Sequence, residues 1–143
     1  MVRLKRAFEV RGRASRLEFW RYQLIQALGG AIVICLTVPA TLVGGRLGII
    51  PFLLIVPLLM ATVCVAIRRL HDRNRHAWWL VLFGLGPFSL AGVAAPLAVS
   101  EKTVLFALVI SLAGIGIAIW GWVELGVRRG TLGENRFGPQ PRA

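Results

Sequence analysis

Arg68-Arg69-Leu70-His71-Asp72-Arg73-Asn74-Arg75-His76-Ala77-Trp78-Trp79 is the one dense cluster of charge in the middle of an otherwise apolar chain. Uncharged runs flank it, Leu47 to Ile67 before and His76 to Ser100 after, and two more, Tyr22 to Gly45 and Thr103 to Val123, lie further out. Each exceeds the roughly 18–20 residues that a helix needs to cross the hydrocarbon core of a bilayer. The reading is an all-α, polytopic membrane protein with four transmembrane helices in two antiparallel hairpins, and the quoted stretch joins the hairpins. The expected spans are 19–43, 49–67, 78–98 and 103–123. They belong to a membrane domain of residues 15–127, preceded by a basic lead-in, 1–14, and followed by a Gly/Pro-rich tail, 128–143.

Composition agrees. Hydrophobic residues make up 57% of the chain and charged residues 16%, well below the quarter or so typical of soluble domains. An ordinary soluble domain is excluded. The net charge of +11 would raise nucleic acid as a partner in a soluble protein, but no nucleic-acid motif accompanies it. Seven Lys and Arg precede the first span, four lie in the central stretch and four in the tail, while Arg46 and Lys102 stand alone in the other two connections. With four spans the three basic segments share one side, and the positive-inside rule makes that side cytoplasmic, with both termini inside. The excess then faces anionic phospholipid headgroups, where each cation near the surface contributes about 1 kcal/mol. The first apolar run is too long for a signal peptide and is followed by three more, so it is read as a retained anchor. Cys35 and Cys64 fall inside spans and read as small packing residues rather than a disulfide or metal pair.

Ser15-Arg16-Leu17-Glu18 has capping-box spacing, so a helix is expected to start at Ser15. Trp20 and Tyr22 stand where an aromatic belt belongs, as do Trp78 and Trp79. Gly44 to Gly48 reads as a tight turn. Pro51 is expected in the first turn of the second span, and Pro57 in its interior, as a kink. Gly84, Gly86 and Pro87 are expected to bend the third span. The lead-in, with Leu4, Phe8 and Val10, is expected on the membrane surface.

Neighbouring His71 and Asp72 suggest metal or acid–base chemistry, but His76 is five residues on, and no Cys or Glu joins at ligand spacing. No metal or cofactor site is read here. A clamp fits better, because Asp72 is four residues from Arg68 and three from Arg69. Glu18 and Glu124 also stand at helix ends among arginines, Glu124 four before Arg128, and the three acids are expected to tie the helix ends into one polar ring. No ionisable residue lies mid-span, which argues against a proton or ion path through one copy.

Three stretches resemble the signatures of one family. They are Gly12-Arg13-Ala14-Ser15-Arg16-Leu17-Glu18-Phe19-Trp20, Arg68-Arg69-Leu70-His71-Asp72 with Trp78-Trp79, and Gly130-Thr131-Leu132-Gly133-Glu134-Asn135-Arg136-Phe137-Gly138-Pro139-Gln140-Pro141. The chain is similar to the bacterial inner-membrane family known as domain of unknown function 805, from about residue 5 to residue 141. The resemblance implies a small polytopic protein of the bacterial cytoplasmic membrane, without an established activity. It departs at Asn74 and His76-Ala77, where the family usually has glycine and then Ser-Gly, and at Gln140, where the family usually has Asp. Asn tolerates the left-handed turn that glycine would make. The glycines and prolines of the tail exclude a helix, and Asn135-Arg136-Phe137 is expected to fold back under the bundle.

The expected function is a non-enzymatic membrane subunit that binds a partner protein or anionic lipid through a basic cytoplasmic cap. The cap comprises Arg13, Ser15, Arg16, Glu18, Trp20, Arg68, Arg69, His71, Asp72, Trp78, Trp79, Glu124, Arg128, Asn135, Phe137 and Pro139. The alternatives are an oligomeric pore or small-solute transporter lined by Gln23, Gln26 and Thr37, and, ranked lower, a lipid-acting membrane enzyme.

Overall fold

The computed structural model describes residues 7–44 and 53–141, and among them the chain is all-helical. Helix α1 spans Arg16–Gly44, α2 Ile55–Asp72, α3 Gly86–Leu97 and α4 Val104–Trp122. A π-helical turn, Val81–Leu85, leads into α3, and a second, Val123–Val127, continues α4. α1 packs along α2 and α3 along α4. The backbones of the two pairs approach most closely at the Val123–Val127 turn, which touches both α1 and α2.

Two helical stretches, Arg16–Pro39 and Val104–Val127, are long and apolar enough to cross a membrane. Val81–Leu97 is apolar but shorter. The expected start of the second span, the 44–48 turn and Pro51 lie outside the described residues, apart from Gly44 itself, which ends α1.

Local chemistry accounts for the boundaries. Ser15 Oγ accepts the Glu18 backbone N–H at 3.2 Å, and α1 begins one residue later than expected, at Arg16. Pro57 stands in the first turn of α2 rather than in its interior. There its missing N–H is one of the unbonded donors that every helix start carries, so no kink is required. Pro87 cannot donate to the carbonyl of Phe83. A π turn falls just before it, where Gly86 N–H bonds back to Val81 in the wider pattern. Thr103 and Val104 both donate to Ser100 O, closing the short turn between α3 and α4.

Glycines set the helix spacing. A Cβ on Gly29 would stand 2.7 Å from Leu58 Cδ2, and one on Gly121 would stand 2.9 Å from Phe83 Cβ. α1 meets α2, and the π turn before α3 meets α4, through positions without a side chain.

Burial is inverted relative to a soluble protein. The largest fully buried side chains are Arg68, Arg69, Leu70, Glu124 and Val65, whereas Leu42, Phe88, Leu105 and Phe106 are open on the outside of the helices. Such a surface suits a hydrocarbon solvent, where apolar side chains face outward and backbone groups are satisfied within helices. Charge is concentrated at one end. Next to it lies the small apolar core of Phe19, Tyr22, Val65, Leu70, Phe83 and Leu125. Of residues 7–14, Ala7, Arg13 and Ala14 are buried at that end, while Phe8 and Val10 are exposed.

Candidate functional site

The charged end is organised around Asp72, the last residue of α2. Arg13 Nε and Nη2 both donate to Asp72 Oδ1, at 2.9 and 2.8 Å, and Arg69 Nη1 donates to Oδ2. All three side chains are buried. The clamp partner from α2 is Arg69 and not Arg68, although both positions lie within pairing reach of Asp72 on the helix surface. Arg68 turns the other way and donates to Glu18 of α1 at 2.8 Å. The second guanidinium on Asp72 comes from 59 residues away.

Arg13 also fastens the tail. Its Nη1 donates to Gly133 O at 2.6 Å and Gly138 O at 3.2 Å, and its Nη2 to Thr131 O. Thr131 N–H and Oγ1 donate to Asp72 O at 2.8 and 3.1 Å. Gly130 fits directly against the Asp72 carboxylate, where any Cβ would collide. Asn135 Nδ2 donates to His71 O and to Thr131 Oγ1, and Phe137 stacks on the His71 ring at 3.9 Å. The tail folds back as an ordered turn closed by the Asn135–Gly138 bridge. Asn74 adopts φ 55°, so the left-handed turn persists without glycine. Gln140 Oε1 accepts Gly133 N–H at 3.1 Å, a bond inside the tail.

The end of α4 solves a different problem. A helix leaves its last carbonyls without intrahelical partners. Here Arg69 donates to Leu125 O and Arg128 O, Trp20 Nε1 to Gly126 O at 3.1 Å, and Arg16 to Val127 O at 3.3 Å. Side chains of α1 and α2 thus cap α4, placing cations at its negative dipole end. Glu124, fully buried, collects Arg73, Arg75 and Arg128 at 3.0–3.1 Å.

Burial pushes the Arg69 pKa down, and the adjacent Asp72 carboxylate raises it in part. Burial likewise lowers the His71 pKa, while its Nδ1 contact with Gly12 O opposes the shift and the positive Arg136 adds to it. Beside the clamp opens a cavity of about 550 Å³, lined by Ser15, Arg16, Trp20, Arg69, Asp72, Arg129 and Thr131 among others. No group of three His, Cys, Asp or Glu side chains able to hold a metal stands together among the described residues.

The structure brings Arg13, Ser15, Arg16, Glu18, Trp20, Arg68, Arg69, His71, Asp72, Glu124, Arg128, Asn135 and Phe137 to one end. Trp79 lies beside it, with Arg75 4.2 Å above its ring. Trp78 and Pro139 are exposed. Sequence reasoning missed Arg73, Arg75, Gly130, Thr131 and the carbonyls of Leu125 and Gly126. Gly130 and Thr131 stood inside a recognised motif. The carbonyls carried no sequence signal.

Comparison with known proteins bears on the whole chain. Residues 7–139 match the family described as "Protein of unknown function (DUF805)". The "Inner membrane protein YhaI" of Escherichia coli K12 is 30% identical over 134 residues, covering 92% of this chain and 84% of the relative. The "Inner membrane protein YhaH" of the same strain is 30% identical over 146 residues, covering 97% and 92%. No solved structure matches.

Proposed function

The chain belongs to the family of unknown function DUF805, and on that premise we propose that it is a non-enzymatic inner-membrane protein whose preformed basic cap holds anionic phospholipid. In this reading the chain crosses the bilayer four times, the charged end is cytoplasmic and both termini lie on that side. The relatives' names supply the location. The distribution of Lys and Arg supplies the orientation.

One observation carries the reading: the cap neutralises Glu18, Asp72 and Glu124 internally and keeps an excess of cation. Residues 7–18, 68–76 and 124–141 contain three, four and three arginines, ten in all, against two, one and two acids, five in all. Glu18, Asp72 and Glu124 are each held by guanidinium groups. His71 is engaged by Gly12 O and the Phe137 ring. With Glu18, Asp72, Glu124 and His71 all engaged by neighbours, binding is favoured over catalysis.

A pore has one observation on its side, the buried Gln23 Oε1, which has no hydrogen-bond partner among the described residues. Thr37 and Thr62, by contrast, donate to carbonyls one turn back in their own helices. The lipid reading is tested by extracting the protein from native membranes in polymer-bounded discs and measuring the lipid that accompanies it. Enrichment of anionic phospholipid over the bulk membrane is expected. Bulk composition would overturn the reading.

A further inference from the structure

The cavity beside the clamp shares a wall residue with a second hollow. That residue is Trp20, and the second hollow, of about 420 Å³, is lined otherwise by Ile115, Ala118, Ile119, Trp122, Val123 and Val127. The second hollow is almost wholly apolar. It lies where the two helix pairs diverge, since Trp20 belongs to α1 while the other six residues belong to α4 and its π turn, and α1 and α4 make no close backbone approach among the described residues. Trp20 is fixed at the junction by its bond to Gly126 O, by an edge contact with Trp122 at 5.5 Å between ring centres, and by the missing side chain of Gly126.

Resting on the reading of an anionic-lipid-binding cap, we propose that these two hollows are one site for a single phospholipid with an anionic headgroup. The phosphate sits between Arg16 and Arg129, and one acyl chain lies along α4 from Val127 to Ile115. Charge complementarity selects the occupant. The polar hollow presents three arginines against one aspartate, and that aspartate already has two guanidinium partners. Arg129 is exposed and has no side-chain hydrogen bond or ion pair among the described residues, and Arg16 makes one long bond to Val127 O. Both can turn to a phosphate without breaking the clamp. Length selects a lipid over a free phosphate. From Val127 to Ile115, α4 rises roughly 18 Å at about 1.5 Å per residue, close to half of the approximately 30 Å hydrocarbon core, which is one leaflet.

The test uses the full chain reconstituted in phosphatidylcholine vesicles that contain a minor fraction of brominated lipid, either phosphatidylglycerol or phosphatidylcholine, with tryptophan quenching as the readout. Brominated phosphatidylglycerol is expected to quench more at equal mole fraction. That excess should vanish in the pair Arg16→Gln with Arg129→Gln, whose affinity falls roughly thirtyfold, the equivalent of about 2 kcal/mol. It should also shrink in Ala118→Phe, which fills the apolar hollow. The pair Arg16→Lys with Arg129→Lys should retain it. If the glutamine pair does not accumulate, Ala118→Phe, at a half-buried position in the wall of the hollow, carries the test. An excess that survives these variants overturns this site and leaves the basic-cap reading standing. The absence of any excess in the unaltered protein overturns both. An excess removed by soluble glycerol phosphate at matched ionic strength shows that the pocket takes the headgroup alone, and overturns the acyl-chain groove.

Discussion

Asp72 is a single carboxylate between two buried guanidinium groups. Removing one partner of a buried ion pair leaves the other charge desolvated, at a cost of about 3–5 kcal/mol. Asp72→Ala is therefore expected to lower the thermal midpoint in detergent and the amount of protein that accumulates in the membrane. An unchanged midpoint would mean that the clamp is not structural. His71 makes a pH prediction. Its folded pKa lies below its ordinary value, so around that value the unfolded chain binds more protons than the folded one. Its contribution to stability is complete above about pH 6.5 and is lost as pH falls toward the folded pKa. The thermal midpoint should thus be lower at about pH 5.5 than at about pH 7.5, and His71→Phe, which keeps an aromatic ring against Phe137, should narrow the gap. Equal gaps in both proteins would remove His71 from the account.

Among the elements, the Val123–Val127 π turn has the largest part. It ends α4, buries Glu124, Leu125 and Gly126, and offers carbonyls to side chains from α1 and α2. Gly126 admits Trp20: a Cβ there would stand 2.7 Å from Trp20 Cζ2, in the fixed part of the indole. Overpacking of this kind costs typically about 1–3 kcal/mol. Gly126→Ala is expected to destabilise the protein and to move tryptophan emission to the red as Trp20 leaves its seat. Emission identical to that of the parent would show that the turn can shift to accept a methyl group. Neither the turn nor this glycine could be read from periodicity. A π turn has no distinct apolar pattern over five residues, and Gly126 lies in an apolar stretch where glycine is common.

Across the whole molecule, a charged end and an apolar body imply an orientation. With four crossings and the cap cytoplasmic, a cysteine-free version carrying a single new cysteine at Ser100 should react with an impermeant thiol reagent added from outside, and one at Gln140 should not. Labelling of both positions, or of Gln140 alone, would sink the proposed topology. The same scale accounts for packing of modest extent. The apolar cluster is small, and in a bilayer lipid tails solvate outward-facing Leu and Phe as well as a protein core would, so the polar end holds the helix pairs in register.

The sequence by itself determined that the chain is helical and apolar in long runs, and that its charge is confined to the connections and termini. Those properties are local, since hydropathy over one span and the sign of one segment need no knowledge of any other. It also identified the three motifs, through their composition and through the family they resemble. Only the tertiary structure decided the pairing. Arg13 and Asp72 are 59 residues apart, Arg13 and Gly133 are 120 apart, and α4 is capped by side chains of α1 and α2 acting on backbone oxygens that every residue possesses. A side chain's charge can be read from its letter. The helix end or carbonyl that it meets depends on the turns that bring distant segments together, and Arg68-Arg69-Leu70-His71-Asp72 became the centre of a clamp when the first and last motifs closed over it.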